Sequence, residues 1–167
     1  YWGMGLTAEA VANEFKVSRE EQDLFAFNSH QKALKALAEG KFDSQIVPVE
    51  VEYNFLDANE KIQTKKTIFK QDEGPRADTS LEGLAKLRPV FANGGSVTAG
   101  NASGVNDGAA CVLLANDAFA QAHGLNRLAR VVAIASAGVE AKYMGIGPVP
   151  AVQKVLQQTG LTLEQMD

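Results

Sequence analysis

The stretch that decides the fold reads GGSVTAGNASGVNDGAACVLLA and runs from Gly94 to Ala115. Five glycines fall within residues 94–108, and glycine permits close backbone approach to a ligand. Ser103 stands there between small neighbours, so its hydroxyl would be accessible to a ligand amide. Ala109–Ala115 is unbroken and apolar, as expected of a strand buried on both faces. The stretch therefore predicts a ligand-lining loop that enters a central sheet, although a flexible surface loop is the alternative.

Downstream of this stretch the pattern alternates between helix and strand. Asn116 or Asp117 is placed to cap a helix that ends at Gly124, and Leu128–Ser136 reads as a second buried strand. A further helix has Pro150 in its first turn and Gly160 after its last. Strand, helix, strand, loop and helix in this order are typical of the α/β class.

Upstream, capping signals predict helices around one alternating strand. The predicted elements are a helix from Thr7 through Lys16, a helix from the Ser18/Glu21 capping box to Glu39 with Gly40 as terminator, a half-buried strand over Ile46–Tyr53, a short strand over Thr67–Phe69, and a helix from the Thr79/Glu82 capping box through Leu87. Pro48 favours an edge position for the first strand because proline cannot donate to a ladder.

Composition excludes several classes of protein. The chain has 167 residues, 16 Lys plus Arg against 20 Asp plus Glu, a net charge of −4 and one cysteine. Mild acidity argues against nucleic-acid binding, and no apolar run reaches the roughly 18 residues of a membrane helix. One cysteine excludes an internal disulfide framework and a Cys-rich metal site. We expect a soluble, intracellular protein, because no signal peptide precedes the first motif. The chain starts at Tyr1 without an initiator methionine and stops just after a helix-start signal, so we interpret it as a middle piece of a longer polypeptide.

No catalytic constellation can be assembled from the sequence. Cys111 lies inside the predicted buried strand, where a thiol behaves as a small hydrophobic side chain. His30 is placed in mid-helix and His123 in the last turn of a helix, and both read as surface histidines. Catalytic residues and metal ligands are therefore predicted to be absent from this chain.

Two further features could bind a ligand, and each has a plain structural alternative. Met144 stands in a glycine- and proline-rich turn at a helix start, where a thioether could line an apolar pocket or simply fill the core. Arg76 follows Gly74-Pro75 and precedes Asp78, so it could hold a phosphate or form a solvated ion pair.

Several motifs together resemble those of the thiolases, the acetyl-CoA acetyltransferases and 3-ketoacyl-CoA thiolases. They follow one another in family order and spacing and cover essentially the whole chain: Met4–Glu9, Asp72–Arg76, Leu84–Phe91, Val97–Ala110 and Met144–Pro150. The resemblance implies a layered α/β thiolase fold. Residues 1–104 would correspond to the inserted loop domain, 105–126 to the end of the N-terminal half, and 127–167 to the start of the C-terminal half.

The resemblance also implies a reaction and a binding site. The family condenses two acetyl-CoA or cleaves a 3-ketoacyl-CoA through a cysteine acyl-enzyme, and its catalytic cysteines and histidine lie outside the region matched here. Coenzyme A thioester is then the substrate, with no separate cofactor. The positions that match coenzyme A-binding residues of the family are Arg76 near the adenosine end, Leu87 at the nucleotide, Ala99 and Ser103 along the pantetheine arm, and Met4 and Met144 at the acyl group.

Two positions depart from the family pattern, and two other functions stay open. Gly3 stands where a histidine is expected, and Gly83 where some members carry a serine, which affects the acyl and nucleotide contacts respectively. One alternative is a non-catalytic module for coenzyme A binding or assembly. Another is a ketoacyl synthase, against which the long insertion with Met4-Gly5 and Arg76 speaks. The resemblance further implies a homo-oligomer, dimer or tetramer, a cytoplasmic location and a role in fatty acid metabolism, without nucleic-acid or membrane partners.

Overall fold

The computed structural model describes residues 2–166 and divides into two compact units. The first unit contains the chain up to Ser18, Pro89–Val97 and the chain from Ser103 onward. The second unit contains Arg19–Arg88 and Thr98–Ala102. The glycine-dense stretch is thus shared between the two.

The first unit begins with helix α1, Met4–Phe15, for which Gly3 is the N-cap residue. The predicted cap, Thr7, is wrong: Thr7 lies buried inside the helix and its hydroxyl donates to the Met4 carbonyl at 2.8 Å. Threonine can make this backward bond within a helix as well as cap one, so its presence alone does not fix the start. Lys16 ends α1 in the left-handed conformation, with φ of 58°.

The second unit opens with helix α2, Arg19–Ala38, as the capping-box signal predicts. Gly40 follows with φ of +66°, a conformation that glycine adopts without strain, and the Lys41 N–H bonds to the Ala36 carbonyl at 3.0 Å. The predicted terminator is therefore confirmed, and the helix ends at Ala38, one residue before the predicted end at Glu39.

An antiparallel hairpin follows, formed by β1, Val49–Leu56, and β2, Ile62–Phe69. Its register pairs Val49 with Phe69 and Leu56 with Ile62. The second strand is longer than the predicted Thr67–Phe69. The prediction of a half-buried first strand is wrong: among the strand residues only Val51 and its partner Thr67 are half-buried, and all the others are exposed. Alternation reports the pleat of a strand, whereas burial needs a layer packed on one face.

Helix α3 is short, Leu81–Ala85, and its cap is Ser80 rather than Thr79. The backbone of Ser80 is extended, and its hydroxyl accepts the Gly83 N–H at 3.0 Å. The predicted capping box is therefore wrong by one residue at the start of the helix, and the predicted end at Leu87 is two residues too late.

The last part of the first unit holds α4, Asp117–Ala122, and α5, Pro148–Thr159, with 3-10 helices over Ala141–Ile146 and Leu163–Gln165. Asn116 caps α4 as predicted, because its side-chain oxygen accepts the Phe119 N–H at 2.8 Å. Gly160 ends α5 with φ of 68°, also as predicted, and the helix starts at Pro148, so that Pro150 lies in its first turn.

The two predicted buried strands are wrong for this chain. Ala109–Ala115 and Leu128–Ser136 have no regular secondary structure, and their large side chains are exposed, 81% for Leu113 and 92% for Leu128. A strand is held by ladder bonds to a neighbour, and the one sheet among residues 2–166 is the β1–β2 hairpin. The apolar composition predicts a strand only where neighbouring strands are present.

Within residues 2–166 no helix is both long and apolar enough to cross a membrane. The same residues contain no group of three or more His, Cys, Asp or Glu side chains arranged to hold a metal ion.

Candidate functional site

The six predicted binding residues are divided equally between the two units. Met4, Ser103 and Met144 belong to the first unit, and Arg76, Leu87 and Ala99 to the second. All six side chains are exposed. A shallow hollow lined by Thr67–Glu73 in the second unit contains none of them.

In the first unit, one buried carboxylate holds the start of the glycine-dense stretch. Glu9 on α1 is only 5% exposed, and its oxygens accept the Ser96 N–H at 3.0 Å and the Val97 N–H at 2.8 Å. The Ser96 hydroxyl lies 3.2 Å from the same carboxylate. Gly95 packs so closely on this carboxylate that a Cβ there would collide with it. Glu9 therefore fixes the path of the chain just before the turn that carries Ala99.

In the second unit, Ala99 sits at an exposed position of a tightly bonded turn, Thr98–Ala102. Thr98 is fully buried, and its hydroxyl oxygen accepts the N–H of Gly100 at 3.2 Å and of Asn101 at 3.3 Å. The Thr98 N–H in turn donates to the Asn101 side-chain oxygen at 2.7 Å, and the Ala102 N–H to the Thr98 carbonyl at 3.1 Å. Ala99 is thus presented to solvent by a rigid backbone.

Leu87 lies two residues beyond α3, and this turn of chain is tied to α2. The Arg19 Nη2 donates to the Leu84 carbonyl at 2.7 Å and to the Leu87 carbonyl at 2.9 Å. Leu84 is buried, whereas Leu87 is 39% exposed and can meet a ligand.

Arg76 forms a two-point ion pair with Asp78 on an exposed loop. Its Nε and Nη2 donate to the two Asp78 oxygens at 3.2 and 3.0 Å. Hydrogen bonding to Arg76, and then its charge, lowers the pKa of Asp78, and the same pair raises the pKa of Arg76. The Arg76 N–H donates to the His30 Nδ1 at 3.1 Å, so α2 supports this loop. The solvated ion pair considered as the alternative is present, and a phosphate would have to share the guanidinium with Asp78.

Met4 and Met144 lie on elements that pack together. Tyr143, beside Met144, meets Phe15 edge-on with ring centroids 6.3 Å apart and donates to Glu14 at 2.9 Å. On the other side of Met144, a Cβ at Gly145 would lie 3.7 Å from Val11 in the middle of α1. Met4 begins that helix, roughly 10 Å along its axis from Val11 at about 1.5 Å per residue.

The remaining residues considered for chemistry also have defined places. Cys111 is exposed, so its predicted burial is wrong; the strand that was to enclose it does not form. His123 is an exposed residue at the end of α4 and stacks on Phe119 with centroids 4.2 Å apart, as a surface histidine should. His30 is half-buried and accepts the Arg76 N–H, a role that its mid-helix position does not reveal.

Of the two departures from the family pattern, only Gly83 has a local explanation. Gly3 is the exposed N-cap of α1, and a Cβ there would meet no atom within 4 Å. A Cβ at Gly83 would lie 3.2 Å from the Ser80 hydroxyl, which is the cap of α3. A serine at position 83 would therefore crowd this cap.

Comparison with known proteins then identifies the class to which the chain belongs. The model of the thiolase N-terminal domain matches residues 2–118, and that of the thiolase C-terminal domain matches residues 125–167. The chain belongs to the thiolase family.

Individual relatives agree with this assignment. The chain is 48% identical over 166 residues to a 3-ketoacyl-CoA thiolase of Bacillus subtilis, covering 99% of this chain and 42% of the relative. It is 49% identical over 164 residues to an acetyl-CoA acetyltransferase of Pseudomonas aeruginosa, covering 98% of this chain and 40% of the relative. The crystal structure of the Bacillus anthracis acetyl-CoA acetyltransferase matches all of this chain with a TM-score of 0.87 and 46% identity, over 40% of its own length. The fold is therefore that of the mixed α/β thiolases, and the chain spans about two fifths of these relatives.

Proposed function

We propose that this chain is the central part of an acetyl-CoA C-acetyltransferase, which transfers acyl groups to or from coenzyme A through a cysteine acyl-enzyme. The observation that carries the proposal is the similarity, at 48–49% identity over 98% of the chain, to relatives named acetyl-CoA acetyltransferase. The nucleophile and the acid–base groups then come from other parts of the polypeptide.

The role of this segment in that reaction is to bind coenzyme A. Binding of a thin pantetheine arm needs small, apolar surroundings and a few polar groups that fix its register. Ala99 and the Ser103 hydroxyl supply these, with Ser103 meeting a pantetheine amide. At the other end, Leu87 contacts the nucleotide and Arg76 the charged or aromatic adenosine end. Met4 and Met144 line the acyl pocket.

The exposed Cys111 has no part in this mechanism. Replacement Cys111→Ser in the full-length protein should leave thiolysis of acetoacetyl-CoA unchanged, because the acyl-enzyme forms on another cysteine. Loss of activity in this variant would show that the nucleophile has been misplaced. The isolated chain should likewise show no turnover.

The binding role is tested by Ser103→Trp in the full-length protein. The indole would fill the space of the pantetheine arm, so we expect the Kd for coenzyme A, measured by calorimetry, to rise at least about tenfold. Asn106→Gln, a polar change on the same loop, is the matched control and should leave the Kd within about twofold. Equal affinity of Ser103→Trp and wild type would remove Ser103 from the site.

The alternative is a non-catalytic thiolase relative that binds coenzyme A or serves assembly. It would bind coenzyme A without cleaving acetoacetyl-CoA, whereas the acyltransferase does both. For the complete protein we also propose a homo-oligomer, dimer or tetramer, located in the cytoplasm and acting in fatty acid metabolism.

A further inference from the structure

Arg19 and Asp23, on the first turns of α2, form a largely buried ion pair and are not among the six proposed binding residues. Arg19 Nε donates to Asp23 Oδ2 at 2.8 Å, and the two side chains are 21% and 7% exposed. The other end of the guanidinium donates to the carbonyls of Leu84 and Leu87, as described above. One cation thereby ties the end of α3 to α2.

The second carboxylate oxygen of Asp23 reaches a different part of the unit. Its Oδ1 accepts the Asn101 side-chain N–H at 2.9 Å. Asn101 also accepts the Thr98 N–H, so the turn carrying Ala99 is anchored to the same aspartate. Asp23 is therefore the point at which two separate segments of chain are joined.

Those two segments are also in direct apolar contact. A Cβ at Gly100 would lie 2.5 Å from Leu87 Cδ1 and 2.6 Å from Leu84 Cδ2. Only glycine allows the turn to approach the leucines this closely. The polar bridge on one side and this contact on the other fix how far Ala99 is from Leu87.

We propose that Arg19, Asp23 and Asn101 are positioning residues that set the separation between the pantetheine contact, Ala99, and the nucleotide contact, Leu87. The inference rests on the proposed function, since it assigns both contacts to one coenzyme A. These three residues would then determine how much higher kcat/KM is for a coenzyme A thioester, which carries the nucleotide, than for a pantetheine thioester, which lacks it.

The bonding pattern supplies a charge-swap test. In Asp23→Asn, one carbonyl oxygen replaces two acceptors while both donors, from Arg19 and Asn101, remain. In Asn101→Asp, a second carboxylate faces Asp23. Combining the two substitutions restores the pattern: the new amide at position 23 donates to the new carboxylate at position 101 and still accepts from Arg19.

The measurement is the ratio of kcat/KM for acetoacetyl-CoA to kcat/KM for acetoacetyl-pantetheine in the full-length protein. Each single substitution should lower this ratio at least about fivefold, the effect of one unsatisfied buried group, mainly through KM for the coenzyme A thioester. The double variant should recover most of it. Glu20→Gln, an exposed carboxylate-to-amide change on the same turn of α2, is the control and should leave the ratio unchanged.

The outcomes separate this inference from the proposed function. A wild-type protein that cleaves neither thioester would refute the proposed function itself. A wild type that cleaves both equally well, single variants with an unchanged ratio, or a double variant no better than either single one would each refute the positioning role. Should Asp23→Asn fail to fold, Arg19→Lys carries the same test, because lysine keeps the charge but lacks the fork that bonds Asp23 and the Leu84 and Leu87 carbonyls at the same time.

Discussion

Replacement of Glu9 should loosen the chain that leads into the glycine-dense stretch. Its carboxylate is the acceptor for the buried Val97 N–H and the partly buried Ser96 N–H. In Glu9→Met a side chain of similar length removes both acceptor oxygens. Both backbone donors then lose the carboxylate, whereas a glutamine could place its oxygen at the Oε1 position and still accept from both.

The expected size follows from the cost of an unsatisfied buried donor, about 1–3 kcal/mol, together with the loss of a charged acceptor. For Glu9→Met we expect the local opening free energy at Val97 to fall by about 2–4 kcal/mol. At 1.36 kcal/mol for each factor of ten, this corresponds to about 30- to 1,000-fold faster amide exchange.

Amide hydrogen exchange of the full-length protein, followed at Ser96 and Val97, measures this directly. Glu14→Gln on the same helix is the control, because Glu14 is exposed and a glutamine can still accept from Tyr143. Exchange at Val97 that rises less than about threefold in Glu9→Met would refute the reasoning, since a carboxylate whose removal leaves Val97 protected is not the anchor of this loop.

Two other predictions concern the acidic residues Asp57 and Asp78. Hydrogen bonds from the Lys61 N–H, the Gln63 amide and the Asn59 N–H, in that order, lower the pKa of Asp57. The ionised carboxylate therefore stabilises the turn between β1 and β2 when the pH is above 3.8, the ordinary pKa, and this stabilisation is lost as the pH falls through the lowered pKa. Lys61 amide exchange, corrected for intrinsic rates, should therefore accelerate with acid in wild type but not in Asp57→Asn, and equal pH profiles would contradict this. Asp78→Asn should raise the affinity of the full-length protein for coenzyme A by about two- to fivefold at low salt, with a smaller gain at high salt, because it frees Arg76 and removes a negative charge near the phosphates. A lower affinity in calorimetry would mean that Asp78 orients Arg76 instead of competing for it.

Much of the local structure could be read from the sequence because it depends on neighbouring residues. Asn116 caps α4, and Gly40 and Gly160 end helices in left-handed conformations, as their residue types predict. The family was also evident from the motifs, and the two thiolase domain models confirm it. Where two neighbouring residues could each cap a helix, as Thr79 and Ser80 could, the capping-box pattern favoured the wrong one.

The predicted strands mark the limit of this reasoning. The composition of Ala109–Ala115 indicates a preference for an extended, buried conformation, but ladder bonds and burial come from other segments. Among residues 2–166 those neighbours are absent, and the segment stays irregular and exposed.

The sequence by itself determined the family, the helix ends marked by Gly40, Asn116 and Gly160, and the glycine-dense loop that carries Ala99 and Ser103. Only the tertiary structure decided what holds that loop, since Glu9 bonds to Val97 across 88 residues and Asp23 to Asn101 across 78. In the sequence alone, an acidic residue on a helix that faces solvent cannot be distinguished from one that faces a buried donor. Its partner is set by the path of the chain, because a buried carboxylate is stable only where that path brings donors to it.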